Sequence, residues 1–227
     1  MNFDLSEAQV AVRDLAAQVF TGSVTVERVK EVEASEARVD RALWRELADA
    51  GLVGIALPET HGGSGLGLVE ACLVLEQQAR VVAPVPYWAT VICGARAIAR
   101  FGTPAQRDAW LPGVVAGDVV LTAALAEAGV NDPLAPQTHA ERDGAGWRLD
   151  GAKPVVPAAP IAERVLVPAT TDDGVAVFLV DPGDAGVSLE RVVTTNREVA
   201  GHLRFAGASG ELLGDGAVDG REVLAAI

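Results

Sequence analysis

Cysteine, basic residues and long apolar runs are all scarce in this sequence of 227 residues. The two cysteines, Cys72 and Cys93, stand in apolar helical surroundings, which predicts buried free thiols and neither a disulfide framework nor a metal site. Lysine and arginine number 18 against 31 aspartates and glutamates, which gives a formal net charge of −13. This balance argues against a nucleic-acid partner, because phosphate-binding proteins normally present a basic face.

The sequence is apolar, with 50% hydrophobic residues and a mean hydropathy of +0.27, but its apolar stretches are short. Without an uninterrupted run of about 18 apolar residues, we expect no membrane span. The opening residues MNFDLSEAQ lack the basic segment and apolar core of a secretory signal. We therefore expect a cytoplasmic protein.

The first half of the chain shows helical periodicity. A capping-box pattern begins at Ser6, and Thr103-Pro104-Ala105-Gln106 offers an N-cap, a proline at the first helical position and a glutamine at the third. The charged stretch Glu27–Glu36 is interpreted as a solvated face. The remaining apolar periodicity predicts further helices over 41–50, 67–82, 87–101 and 103–117.

From Asp118 onwards, the apolar residues form short runs in place of a helical period, and turns become frequent. Thr171-Asp172-Asp173-Gly174 is typical of a hairpin turn. Short β-branched runs predict strands over 119–125, 146–151, 164–169, 175–180, 187–193 and 202–205. The fold class is therefore α+β, with an N-terminal all-α domain over 1–117 and a small β-barrel or sandwich domain over 118–214. Residues 215–227 then begin another helical domain.

Five motifs in order resemble one known family. The first is the loop Gly51–Gly67, GLVGIALPETHGGSGLG, in which Pro58 restricts the backbone and Gly51, Gly62 and Gly63 permit positive φ. The others are FGTPAQR with a following Leu-Pro, WRLDGAK, FLVD and LLG. Together they resemble the acyl-CoA dehydrogenase family over essentially the whole chain.

This resemblance implies FAD-dependent α,β-dehydrogenation of an acyl-CoA thioester, with the redox chemistry supplied by the flavin. It also implies a homo- or hetero-oligomer and an electron-transfer flavoprotein or similar electron acceptor. The family's catalytic glutamate lies in a C-terminal helical domain that this sequence does not contain. We therefore expect no catalytic residue in this chain, and either the sequence is a fragment or another polypeptide supplies the base.

The resemblance places the flavin at two segments, and both depart from the family's pattern. In the first, Glu127 and Asp132 match, whereas a threonine has become Ala126 and a serine Asn131. In the second, a tryptophan has become Val155 and a threonine Pro157, which has neither a hydroxyl nor a backbone N–H. The candidate cofactor-binding residues are Leu125, Ala126, Glu127, Asn131, Asp132, Val155, Val156 and Pro157.

Candidate substrate-binding residues are Tyr87, Trp88 and Asn131. The two aromatic residues follow a proline break where the family's acyl pocket is lined by helical residues, and core packing is the alternative role. Asn131 and Asp132 are equally compatible with ordinary turns. His61, His139 and His202 have no partner at motif spacing, which favours surface positions, and Trp44 and Trp110 are expected in the core.

Three functions remain open. The chain is a catalytic acyl-CoA dehydrogenase subunit in fatty acid or steroid side-chain catabolism, a non-catalytic partner in a heteromeric dehydrogenase, or an acyl-CoA-binding module without redox activity. Heteromeric members of the family are associated with actinobacterial steroid side-chain catabolism. The first of these is the leading prediction, and the hydrogen bonds lost at the flavin segments, each worth roughly 1 kcal/mol, are the reason for keeping the second.

Overall fold

The computed structural model describes residues 4–144 and 146–227, and it has helices followed by a barrel-like sheet, which confirms the α+β fold class. Residues 1–3, part of the predicted first domain and of the sequence inspected for a signal, lie outside the described residues. The helices are α1 (Glu7–Ser23), α2 (Val26–Ala34), α3 (Arg41–Asp49), α4 (Leu68–Val81), α5 (Arg96–Phe101), α6 (Pro104–Val115) and α7 (Gly220–Leu224).

Capping side chains set the starts of several helices. Ser6 and Gln9 form a reciprocal capping box at α1, and Thr103 and Gln106 form another at α6. The charged run 27–36 was not predicted as a helix, yet α2 forms there with Thr25 as its N-cap. Its apolar face is too narrow to give a clear period, because only Val32 is buried.

A π-helical segment, Trp88–Ala95, leads directly into α5. It packs against the first strand so closely that a Cβ on Gly94 would lie 2.5 Å from Leu121 Cβ. The single helix predicted over 87–101 is therefore a π-helix and an α-helix in succession. This segment is the main contact between the helices and the sheet.

The strands are β1 (Leu121–Ala123), β2 (His139–Asp143), β3 (Gly146–Pro157), β4 (Arg164–Thr171), β5 (Gly174–Val180), β6 (Val187–Val193) and β7 (Val199–Leu212). Strands β4, β2, β3, β7 and β5 pair in that order, and β5 pairs back with β4, so the five close into a ring. β1 joins β4 in parallel, and β6 joins β7. The β2–β4 closure rests on a single residue pair, His139 with Thr170.

The strand predictions are mostly confirmed in position but not in length. The hairpin turn after Thr171 is confirmed, since Thr171 pairs with Gly174. β3 and β7 run several residues beyond their predicted ends, and β2 was missed because HAERD has one buried residue among polar ones. The predicted boundary at 117/118 falls in the connection between α6 and β1.

The loop 51–67 owes its shape to its glycines, although not as predicted in every case. Gly51, Gly62 and Gly65 have positive φ, whereas Gly63 does not. Gly63 is required for space instead, because a Cβ there would lie 2.2 Å from the Leu57 carbonyl oxygen.

The largest apolar core runs through both the helices and the strands, joining Phe20, Trp44 and Ile98 to Leu121 and Leu166. A second core fills the ring of strands. Trp44 is buried as predicted, whereas Trp110 is only half-buried beneath the Arg164 guanidinium.

The exposure of the cysteines and histidines differs from the prediction in two respects. Cys93 is buried, but Cys72 is exposed because it projects from the solvent-facing side of α4, so the prediction of two buried thiols is wrong for Cys72. His139 is exposed, whereas His61 and His202 are half-buried and hydrogen-bonded. No described helix is both long and apolar enough to cross a membrane.

Candidate functional site

A buried ion pair lies where the two expected flavin segments meet. Lys153 on β3 and Glu127 in the connection between β1 and β2 approach to 2.6 Å, with side-chain exposures of 0% and 5%. The Glu127 carboxylate also accepts hydrogen bonds from the Thr138 backbone N–H at 3.0 Å, the Thr138 hydroxyl at 2.6 Å and the Gln137 N–H. Both of its oxygens are therefore engaged within the chain.

The charge of this pair is set by burial and hydrogen bonding together. Burial favours the neutral carboxyl, but the Lys153 ammonium at 2.6 Å and the hydrogen bonds from Thr138 and Gln137 outweigh it, so the pKa of Glu127 lies below its ordinary value. Burial lowers the pKa of Lys153, and Glu127 opposes that effect. We assign an ionised pair at neutral pH, since an unpaired buried charge would be far more costly.

The ion pair also supports the weakest join in the barrel. Glu127 holds Thr138, the Thr138 carbonyl accepts from the Thr170 N–H of β4 at 2.8 Å, and the Thr170 hydroxyl donates to the Pro136 carbonyl at 2.6 Å. A chain of contacts thus links β3 to β4 beside their short connection through β2. The structure places Glu127 in a scaffold role.

The second segment contains a bulge at the end of β3. The pairing with β7 shifts register between Lys153 and Val156, and Val155 has φ +51°, an unusual value for a β-branched residue. Val155 is 47% exposed and its N–H donates to His202 Nδ1 at 3.0 Å, while Val156 is buried. The Pro157 carbonyl accepts from the buried Thr122 hydroxyl at 2.6 Å.

The first segment lies mostly on the surface. Ala126, Asn131 and Asp132 are exposed, and Leu125 is half-buried against the main core. Asp132 accepts from the Leu134 N–H at 2.9 Å, the geometry of an Asx turn. The Asn131 side chain makes no hydrogen bond with any described residue, and its predicted ligand role stays a prediction.

A cavity of about 360 Å³ lies beside this site, between the end of α4, the start of the π-helical segment and the turn joining β6 to β7. Trp88 and Pro157 both line it, so the structure brings one candidate substrate residue and one candidate flavin residue together. Tyr87 lies instead in the core, with its hydroxyl donating to the Leu52 carbonyl at 2.9 Å and its ring edge-on to Trp44. Burial raises the pKa of Tyr87.

Comparison with known proteins fits this architecture. The model of the acyl-CoA dehydrogenase N-terminal domain matches residues 6–118. The acyl-CoA dehydrogenase FadE27 of Mycobacterium tuberculosis is 40% identical over 208 residues, which cover 92% of this chain and 55% of that protein. The chain belongs to the acyl-CoA dehydrogenase family. It spans about half the length of the curated relatives it matches.

Two matched solved structures of acyl-CoA dehydrogenases are complexes of two differently named chains. One is the ChsE4–ChsE5 complex from Mycobacterium tuberculosis, 38% identical with a TM-score of 0.89, covering 99% of this chain and 60% of the matched one. The other is described as the Tcur3481–Tcur3483 steroid ACAD G363A variant, 51% identical with a TM-score of 0.87, covering 92% of this chain and 57% of the matched one.

Three of the groups expected at the flavin are not available to it, whereas the exposed Asn131 amide is unengaged. Pro157 offers no donor, the Val155 N–H is already bonded to His202, and the Glu127 oxygens are engaged with Lys153 and Thr138. An isoalloxazine ring needs donors at its nitrogen and oxygen atoms, and leaving them unpaired costs about 1–3 kcal/mol each. We derive no catalytic step through a flavin held by these residues.

Sequence reasoning missed Lys153, Thr138 and Thr122, the residues that organise this site. Lys153 was visible only as part of a motif, and nothing in the sequence indicated that it is buried. Arg38 and Gln78, which line the cavity, were missed because they lie 40 residues apart, Arg38 between two predicted segments and Gln78 within a predicted helix.

Proposed function

We propose that this chain is a subunit of a heteromeric acyl-CoA dehydrogenase in which the partner subunit holds the FAD. The proposal is carried by one observation: groups expected to face the flavin are not free to bind it. Glu127 is paired with Lys153 of the same chain, and Pro157 has no hydrogen-bond donor. FAD accompanies matched dehydrogenase structures, so the cofactor belongs to the family. Under this proposal, the chain has a structural role in the assembly and does not itself hold FAD.

Two further observations support a partner. Both complexes described above pair two differently named chains, which is the organisation proposed here. The exposed apolar side chains Val82, Trp88, Val155 and Val193 lie on or near the cavity rim and the bulge, with exposures of 66%, 46%, 47% and 48%. Apolar side chains grouped in this way are typical of surfaces covered by another polypeptide.

The alternative is a catalytic subunit that binds its own FAD, with the base supplied outside these 227 residues. The free Asn131 amide favours it, because it leaves one polar group available to a phosphate or ribose. The acyl-CoA substrate, whether fatty or steroid, and an electron-transfer flavoprotein or similar acceptor are shared by both proposals. An acyl-CoA-binding module without redox activity is a third proposal, which the cavity supports.

The test is the flavin content of the full-length protein, measured from its absorbance spectrum alone and in complex with its partner subunit. We expect no bound FAD in the isolated chain and about one FAD per pair of unlike subunits. Two FAD per pair, or one per chain in isolation, would show that this subunit holds its own flavin. A flavin-free complex would rule out both dehydrogenase proposals.

A pair of substitutions sharpens the test. Pro157→Thr with Val155→Trp restores the hydroxyl, the N–H donor and the ring found in the family, and we expect it to increase FAD retention by the complex. Pro154→Thr on the same strand is the matched control, for which no change is expected. Equal FAD retention in the wild type, the double variant and the control would mean that the departure of this segment from the family's pattern does not limit flavin binding.

A further inference from the structure

Aspartate is followed directly by glycine at five places in the chain. This dipeptide can rearrange without an enzyme, because glycine has no side chain to shield its backbone nitrogen from the preceding carboxyl group. The pairs are Asp143–Gly144, Asp150–Gly151, Asp173–Gly174, Asp215–Gly216 and Asp219–Gly220. As dipeptides they are identical, so differences in their reactivity must come from the structure around them.

Two of the carboxylates are held by groups of the sheet. Asp150 accepts from the Gly207 N–H of β7 at 3.0 Å, and Asp143 accepts from Arg148 Nε of β3 at 2.8 Å. A carboxyl group must leave such a contact before it can turn towards the next backbone nitrogen. Opening one hydrogen bond first lowers the reactive population about fivefold.

The two pairs that follow β7 are held by local backbone groups. Asp215 accepts from the Ala217 N–H at 3.0 Å. Asp219 is the N-cap of α7 and accepts from the Arg221 N–H at 2.9 Å. Each of these carboxylates is therefore engaged by the N–H beyond the adjacent glycine, which keeps it from the glycine nitrogen.

The Asp173 carboxylate is the exception. Asp173 is exposed in the turn between β4 and β5, and its side chain makes no hydrogen bond or ion pair with any described residue. Gly174 is open on the side where a Cβ would stand, with nothing within 4 Å. No side-chain contact has to be broken before this carboxyl group approaches the Gly174 nitrogen.

The backbone of this turn also favours local opening. Two-residue hairpins prefer turns with positive φ at a central residue, because those turns match the twist of the strands. Neither Asp172 nor Asp173 has positive φ, whereas Gly174 after them has φ +128°. The Thr171 hydroxyl supports the turn by donating to the Gly174 carbonyl at 3.0 Å and accepting from the Asp173 N–H at 3.2 Å. Exposed turns held by such contacts open at low free energy.

We propose that Asp173–Gly174 is a site of spontaneous isomerisation to isoaspartate. The Gly174 nitrogen attacks the side-chain carboxyl carbon of Asp173, an N–C bond forms, a C–O bond breaks, and the hydroxyl leaves with the amide proton as water. Water then opens the five-membered succinimide ring at either carbonyl. Opening at the main-chain carbonyl gives isoaspartate, and opening at the other carbonyl restores aspartate.

The water lost on ring closure is regained on opening, so the reaction needs no oxidant, cofactor or partner, and it goes beyond the proposed function. Isoaspartate carries the main chain through the former side chain and adds one carbon to the turn. The contacts of the Thr171 hydroxyl would then no longer fit. The end of the β4–β5 hairpin should loosen as the protein ages.

The test follows isoaspartate at all five pairs while the full-length protein, with its partner subunit where the two purify together, is stored at neutral pH. Peptide mapping with electron-transfer fragmentation distinguishes isoaspartate from aspartate at each position. We expect Asp173 to convert about fivefold or more faster than each of the other four. In concentrated urea the five should convert at similar rates, because the hydrogen bonds that distinguish them are lost.

Variants test the protecting role of the hydrogen bonds. Arg148→Met removes the donor to Asp143 and should raise conversion there about fivefold, with no change at Asp173. Arg204→Met is the matched control, because it removes an exposed positive charge on β7, and it should change neither rate. Asp173→Glu should abolish isomerisation at the turn, since glutamate must close a larger ring.

The proposal is overturned if Asp173 in the folded protein forms no isoaspartate, or forms it no faster than the other four pairs. It is also overturned if the five rates keep the same order in urea, since the sequence around each pair would then explain the order. Both comparisons use the wild-type protein, so they hold whether or not a variant folds.

Discussion

Both carboxylate oxygens of Glu127 are engaged by neighbours in its own chain. Its match to the family's pattern placed it among the candidate flavin ligands. The structure places it in a buried pair with Lys153 that supports Thr138. A sequence match identifies a residue type at a position, whereas its role depends on neighbours that the sequence does not reveal.

Replacing Glu127 tests that role directly. Glu127→Gln leaves the Lys153 ammonium buried without a counter-charge, and we expect the free energy of unfolding to fall by about 3 kcal/mol in urea denaturation. The double variant Glu127→Gln/Lys153→Met should recover much of this loss. Glu141→Gln, at an exposed position of β2, is the control and should change stability by less than about 0.5 kcal/mol. A change of similar size in the control and in Glu127→Gln would contradict a scaffold role.

Acidification should remove the same contribution. The pKa of Glu127 is lower in the folded protein than its ordinary value of 4.5, so the folded state favours the ionised form. The stabilisation is therefore fully present above about pH 4.5 and is lost as the pH falls through the lower folded-state pKa. The stability difference between wild type and Glu127→Gln should narrow over that range, as measured by urea denaturation at a series of pH values. A difference that stays constant down to acid unfolding would argue against the ionised pair.

At the scale of elements, the π-helical segment joins the helices to the sheet through a contact that only glycine allows. Gly94→Ala would place a methyl group 2.5 Å from Leu121 Cβ, and the strand or the segment would have to move. We expect a loss of about 1–3 kcal/mol of stability in urea denaturation.

Gly22→Ala is the matched control for Gly94→Ala. Gly22 lies in α1, and a Cβ there would meet nothing within 4 Å. Alanine should therefore be neutral or stabilise the helix by up to about 1 kcal/mol. Equal effects at the two positions would mean that close packing against β1 is not the reason for glycine at 94.

Prediction of the elements from sequence succeeded where side-chain chemistry acts locally. The capping residues Ser6 and Thr103 and the hairpin turn at Thr171 placed their elements correctly, because caps and turns depend on a few adjacent residues. β2 was missed because HAERD has one buried residue among polar ones, and its contact with β4 involves a strand that lies beyond β3 in the sequence. The candidate site was located only in outline, since the bulge at Val155 depends on the pairing of β3 with β7 and the pair at Lys153 depends on the connection between β1 and β2.

At the scale of the whole molecule, one apolar core crosses the boundary between helices and strands. Trp44 and Phe20 from the helices belong to the same cluster as Leu121, Leu166 and Leu179 from the strands. A shared core of this kind couples the stability of its two sides, so the regions predicted as separate domains should not unfold independently.

We predict that the helices and the barrel unfold together. In the full-length protein, the helical signal in circular dichroism and the fluorescence of Trp147, which packs against Phe178 in the barrel, should change at the same urea concentration. Variants that retain only Trp147 of the four tryptophans isolate the second signal. Two well-separated midpoints would show that the predicted domains are thermodynamically independent.

The connection between β1 and β2 is held by contacts of Glu127 within the chain. Its contacts with Lys153 and Thr138 hold this segment in place without help from a cofactor. Under the proposed function, this chain should therefore accumulate in folded form even when riboflavin is scarce.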